Sequence, residues 1–232
     1  MSGLGLQLHG ITHGHPHRKA LDHPHRVLRF GALSAFVSRC PFNGLLEDIS
    51  APTLAKRVMA HHQILVAYCA DCTVLPTRFG AFFSSIHALR DRLSAEEATH
   101  LTALARLRET HEFAIKLSVK APPERRPVSG AEATSGAAFL SQRRHARDAR
   151  QSASLSRLDF VNTLMEGVTG IAPPVAYGKG EALLHLGVLL TDAKRAALEE
   201  LLHRHCPAAE ALGLSLEAIG PLPAYSFEAS AL

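Results

Sequence analysis

An α+β or α/β sandwich is the architecture this chain predicts, from three observations. Strand-type alternation and helix-type spacing follow one another twice along the chain, which argues for sheets covered by helices and against a bundle. Hydrophobic residues make up 47% and charged residues 20% of the 232 positions, enough apolar material for one large core or two small ones. Residues 121–136, within KAPPERRPVSGAEATSG, are rich in Pro, Gly, Ser and charge and read as a linker between domains at 1–120 and 137–232.

Leu4 to Ile11 opens the chain as a strand, with Leu4, Leu6 and Leu8 alternating against Gly5, Gln7 and His9. Thr12 to Arg26 is His/Pro/Gly-rich without apolar periodicity and reads as a solvated loop. Val27 to Val37 resumes strand character, with Gly31 allowing a bulge or bend. Pro52 suits the first turn of a helix, where its missing N–H needs no partner. Leu54, Val58, Leu65 and Cys69 then recur at helical spacing, with His61 or His62 on the same face. TVLPTRFGAFF, residues 73–83, follows as a strand. It places Arg78 among apolar neighbours and three Phe around one Gly, although the chain holds only ten Phe, three Tyr and no Trp. Ser84 or Ser85 caps a short helix, and Ser94 with Glu97 fits the capping box of a second, striped by Ala98, Leu101, Leu104 and Leu107. In EFAIKLSV, residues 112–119, Phe113, Ile115, Leu117 and Val119 alternate with Glu112, Ala114, Lys116 and Ser118, the pattern of a half-buried strand.

From Ala137 to about Val168 there is no Pro, and Gly appears only near the end. One long helix or a bent pair is expected, up to about 45 Å at 1.5 Å per residue. Its first half, LSQRRHARDARQSAS, is too polar to be buried all round, whereas Leu155, Leu158, Val161, Leu164 and Met165 face a core or a partner helix. Short strands follow around Val175 and over Ala182 to Leu190. Thr191 or Asp192 caps a last helix with Ala193, Ala197, Leu201 and Leu202 near one face; Pro207 breaks or ends it and Gly213 marks its stop. Leu214 to Ile219 is the last strand, and GPLPAYSF closes the ordered chain.

A net charge of +4 with His neutral, and a pI near 9.0, is too mild to argue a nucleic-acid partner without a concentrated patch. No run approaches the roughly 20 apolar residues of a membrane span, and MSGLGLQLHGITHG lacks the parts of a signal peptide. Cys40, Cys69, Cys72 and Cys206 do not make a disulfide scaffold in a chain this long, so a reducing, cytoplasmic setting is expected. Cys69 and Cys72 form a C-x-x-C, but where a helix ends and a strand begins, opposite to the thioredoxin placement, and no second ligand pair completes a zinc site. Two small residues packing a turn is the reading this favours. His9, His13, His15, His17, His23 and His25 would bind transition metals loosely, yet a Gly/Pro-rich loop does not supply the partners that fix each ring. His111-Glu112 fails as H-E-x-x-H because position 115 is Ile. The run Arg143-Arg144-His145, with Arg147 and Arg150, lacks an aromatic platform and reads as a solvated helix face. Nothing assembles a nucleophile, a base and an oxyanion donor, so no catalytic residue is assigned.

Four stretches in order resemble the gas vesicle protein GvpF/GvpL family. VLPTRFGAFF is similar to its strand V-L-P-x-R-F-G-x-x-F, and EFAIKLSV to its strand E-W-x-V-K-L/V, with Phe in place of Trp. SGAAFLSQRR, residues 135–144, resembles its helix start S-G-x-A-Y-L-x-x-R, and GPLPAYSF, residues 220–227, its ending G-P-W-P-P-Y-S-F. Leu222 stands for the family's Trp and Ala224 for Pro, and the histidine-rich loop is a departure. The resemblance implies an α+β protein of two domains, an N-terminal modified ferredoxin-like domain and a C-terminal α+β domain with a long coiled-coil-like helix. It also implies a non-catalytic accessory or minor component of cytoplasmic gas vesicles, without cofactor or metal. Its partners would be the small hydrophobic shell protein and other accessory proteins, with no nucleic acid and no membrane.

The expected mode of action is masking of the shell subunit's apolar surface, by strand addition at a sheet edge or by a shell helix in a groove. Candidate contact residues are Arg78, Phe79, Phe82 and Phe83, with Pro221, Pro223, Tyr225 and Phe227 of the terminal segment. Arg78, if buried, must be paired, with the terminal segment or an acid such as Glu112. At least one of the three Phe faces the core, and the terminal segment packs on its own domain or on a partner. A metal- or redox-active enzyme using the C-x-x-C and the histidine loop is the competing reading, and a component built into the shell a third.

Overall fold

The computed structural model describes residues 4–41, 50–120, 136–177 and 182–227. Its elements are β1 (Leu4–His13), β2 (Arg26–Phe30), β3 (Leu33–Pro41), α1 (Ala51–Cys69), β4 (Leu75–Pro76), β5 (Phe82–Phe83), α2 (Ile86–Ala95), α3 (Glu97–Leu107), β6 (His111–Val119), α4 (Gly136–Ile171), β7 (Val175–Ala176), β8 (Leu184–Leu190), α5 (Asp192–Ala211) and β9 (Leu214–Leu222), followed by a single 3-10 turn at Tyr225–Phe227. The chain divides into two compact units, one of Met1–Phe113, Leu189–Asp192 and Gly220–Leu232, the other of Ala114–Val188 and Ala193–Ile219. The terminal segment that the sequence assigns with residues 137–232 therefore belongs to the first unit, and the expected linker lies outside the described residues except for Gly136, where α4 begins.

In the first unit one sheet has the order β2-β3-β1-β4, with β5 also on β1, and its pairs are antiparallel. The single strand expected over Val27 to Val37 is a hairpin: Phe30 pairs with Leu33, and Gly31, φ +59°, takes the left-handed conformation of the turn. On β3, Leu33, Ala35 and Val37 point into one core and Phe36 into another, so the strand is apolar on both faces. Helices cover both faces. Ile64, Leu65 and Tyr68 of α1 pack with Phe36 and Val74, while Leu89, Leu93, Leu104 and Leu107 of α2 and α3 pack with Leu8, Ile11 and Leu75. The buried stripe of α1 is His61, Ile64, Leu65 and Tyr68; Val58, expected on it, is exposed.

Ser85 caps α2, its hydroxyl accepting from the Ala88 N–H at 3.1 Å. The capping box expected at Ser94 and Glu97 does not form. Ser94 lies inside α2, and the Glu97 carboxylate accepts the Ala32 N–H at 3.0 Å instead. The loop after β1 is not simply solvated, because the buried Tyr68 hydroxyl needs partners. It takes them from His25 Nε2 at 2.8 Å and the Lys19 N–H at 3.1 Å, and the Lys19 ammonium pairs with Asp71.

In the second unit the sheet order is β7-β8-β6-β9. β6 is buried on both faces in its first half, Ala114 as well as Ile115, rather than on one. α4 is one helix of 36 residues. Phe160, Leu164 and Val168 are its buried residues, while Leu155 and Leu158, expected to face a core or a partner, are exposed. α5 buries Leu198, Leu201 and Ala209 and continues through Pro207, which was expected to break or end it. The ring and His203, four residues back, are both exposed, on a face where the loss of one helical hydrogen bond costs least. Among the described residues no helix is long and apolar enough to cross a membrane.

Candidate partner-binding surface

β4 and β5 are two pieces of one strand beside β1, and the expected continuous strand over residues 73–83 is interrupted. Before the break, Leu75 and Pro76 pair with Ile11 and Gly10, and the Thr77 N–H donates to the His9 carbonyl at 3.0 Å. After it, the Leu8 N–H donates to the Ala81 carbonyl at 2.8 Å, and Phe82 and Phe83 pair with Gln7 and Leu6. Thr77 and Ala81 thus serve adjacent residues of β1, and Arg78, Phe79 and Gly80 are looped out of the ladder. The Ala81 N–H closes the loop on the Arg78 carbonyl at 3.2 Å, and Gly80 takes φ +106°. β1 is irregular at the same place, its register against β3 shifting between Leu8 and Gly10. Arg78 is therefore exposed, not interred in a strand; Phe79 is half-buried, with its ring edge-on to His61 at 5.7 Å and to Phe82 at 6.4 Å. Phe83 turns to the other face and packs against the core.

Beneath this loop lies a histidine pair: His9, which alternation assigned to the polar side of β1, and His61, which with His62 as the alternative was expected on the apolar face of α1. His9 and His61 are buried, their Nδ1 atoms 2.9 Å apart, and His9 Nε2 meets the Ser38 hydroxyl at 2.9 Å. One proton serves the shared contact. Burial, with the His61 imidazole adding to it, lowers His9 to about 3; burial lowers His61 to about 4, opposed by a hydrogen bond to the backbone of Thr77 and helped by the neighbouring His62.

The terminal segment packs on its own chain. Pro223 is buried, Phe227 packs against the same core as Phe83, and the Tyr225 hydroxyl meets His62 Nδ1 at 2.9 Å; Pro221 stays exposed. The Ser226 N–H and hydroxyl donate to the fully buried Glu112 carboxylate at 2.9 and 2.8 Å. Sequence reasoning missed a further feature, a groove of about 360 Å³ lined by Leu4, Leu6, Leu28, Val37 and Ile86, with Arg26 and Arg39 among its polar residues. Leu4 is 65% and Ile86 39% exposed. Alternation placed Leu4 on the apolar face of the first strand, and nothing in the sequence marks that end of the face as open.

The C-x-x-C sits where the sequence places it, at the end of α1. Burial pushes the Cys69 thiol up to about 12 and raises Cys72 as well, so neither offers a thiolate near neutral pH. Among the described residues no group of three His, Cys, Asp or Glu side chains could hold a metal ion.

Comparison with known proteins bears on this surface. A "Gas vesicle protein F" from Streptomyces sp. (strain CB03234) is 28% identical over 222 residues, 88% of this chain and 87% of that protein. In fold, the chain is similar to the crystal structure of the gas vesicle protein GvpF from Anabaena sp. PCC7120, with a TM-score of 0.64, 16% identity and 99% of each chain covered. It is similar too to GvpF from Microcystis aeruginosa, with a TM-score of 0.62 and 16% identity over 96% of this chain and 98% of that one. The family model for gas vesicle synthesis protein GvpL/GvpF matches residues 7–229, from β1 through the terminal turn that holds Glu112, and the chain belongs to that family.

Proposed function

We propose that this protein serves gas vesicle synthesis by covering apolar surface of the vesicle's shell subunit, holding it reversibly with no chemistry of its own. A shell monomer with a gas-facing apolar surface self-associates wherever it is made; a partner over that surface lowers its free concentration and delivers it to a growing edge. The observation that carries this reading is the open groove between Leu4, Leu6, Leu28 and Ile86, apolar surface that the described residues of the first unit leave uncovered. Covering a few hundred Å² at about 25 cal/mol per Å² is worth several kcal/mol gross before association costs, which suits release as well as capture. Arg78, Phe79, Phe82 and Pro221 form a second contact, while Phe83, Pro223, Tyr225 and Phe227 hold the loop and the terminal segment in place. The first unit corresponds to the family's modified ferredoxin-like domain and the second to its α+β domain with the long helix.

Co-expression with the shell protein tests the reading. Soluble shell subunit is expected to rise with the wild-type chain and to fall back with Leu4→Asp combined with Ile86→Asp, at unchanged circular dichroism. Equal amounts of soluble shell subunit with and without this protein would overturn it.

A further inference from the structure

α4 carries a charge pattern that its own unit does not use. Leu164 and Val168 are buried and Val161 half-buried, and the same alternating three- and four-residue spacing runs back through Arg157, Ser154, Arg150, Arg147 and Arg143 to Leu140. From Phe139 to Ser156 every residue is exposed, so this seam continues outward with packing register but with none of the described residues packed on it. Among the described residues Arg143, Arg147 and Arg150 have no ion-pair partner, and the Arg143 guanidinium sits over its own helix's Phe139 ring at 5.7 Å. On α5, by contrast, Arg195 pairs with Glu199 and Arg204 with Glu200 one turn away. Like charges three and four apart destabilise a helix in water, a cost that an acidic occupant reverses.

A second copy of this chain is a poor occupant, because two arginine seams repel. Residues 121–135 bring Glu124 and Glu132 against Arg125 and Arg126, and so no net negative charge. Nucleic-acid phosphates would account for the arginines but not for Leu140 at the outer end of an apolar-spaced seam. We propose that the outer half of α4 docks an acidic amphipathic helix of a partner protein, its carboxylates on Arg143, Arg147 and Arg150 and an apolar residue on Leu140. Guanidinium and carboxylate form paired hydrogen bonds in that arrangement, and the contact weakens as salt rises.

The test is fluorescence anisotropy of the full chain with a labelled three-heptad peptide that carries Glu at the facing positions and a terminal Leu, beside duplex DNA and phosphatidylserine vesicles. The peptide is expected to bind, and to bind about tenfold or more weakly to Arg143→Gln/Arg147→Gln/Arg150→Gln and to Arg143→Glu/Arg147→Glu/Arg150→Glu. Two variants guard against a folding defect in either. No peptide binding, equal binding by the charge-reversed variant, or tighter binding of DNA or vesicles than of peptide would each overturn the proposal. Soluble shell subunit in the co-expression assay stays high with these variants if the groove holds it, so failure of the seam and failure of the groove are read separately.

Discussion

Glu112 reads in the sequence as the polar side of a half-buried strand, and in the fold it is fully buried. Alternation within β6 could not reveal this, since what covers it is Ser226, more than a hundred residues later. Glu112→Ala removes the acceptor for a backbone N–H and a hydroxyl together and is expected to cost about 2–3 kcal/mol in urea unfolding, Ser226→Ala only about 1. His9 was hidden for a related reason: α1 covers the face of β1 opposite Leu8, so the polar side of the alternation is buried too. Its pairing with His61 has a pH signature. Above pH 6.5 both rings are neutral whether the chain is folded or not, and contribute no pH dependence. As pH falls below that, the unfolded chain takes up protons that the folded chain refuses until about 4 at His61 and about 3 at His9. Stability should therefore decline across that window by roughly 1–3 kcal/mol per pH unit, read by urea titrations at successive pH values. His61→Gln should flatten the decline.

At the scale of elements, periodicity and caps located the helices and most of the longer strands, because burial on one face leaves a pattern in the chain, but they merged β2 and β3 into one strand. They did not show the loop at Arg78–Gly80: residues that leave a ladder keep the apolar character of those that stay. The one local signal was Gly80, and its φ of +106° predicts that Gly80→Ala costs about 1–3 kcal/mol through the backbone alone, since the nearest atom to an added Cβ would be Phe82 Cε2 at 3.9 Å. Thermal unfolding of that variant beside Phe79→Ala separates the strain from the lost ring contacts. Pro207 misled in the opposite direction, because an exposed helix face tolerates the ring. Pro207→Ala restores a backbone hydrogen bond within α5 and is expected to raise the unfolding midpoint in urea by about 1–3 kcal/mol equivalent.

For the whole molecule, composition and order of elements were enough for a protein of mixed sheets and helices, and the motifs for the family. Neither could place the terminal segment, which returns across the full length of the chain to close the first core with Ala224 and Phe227, alongside Leu189. A chain ending at residue 219 should accordingly lose cooperative unfolding of the first unit, and residues 1–113 alone should bind a hydrophobic dye and show weak near-ultraviolet dichroism. The same return of the chain has a consequence during synthesis. A ribosome must deliver nearly all of this polypeptide before its earliest strands can finish their core, so the nascent N-terminal half spends most of translation with greasy surface open, in need of the kind of shielding that the finished protein is proposed to provide.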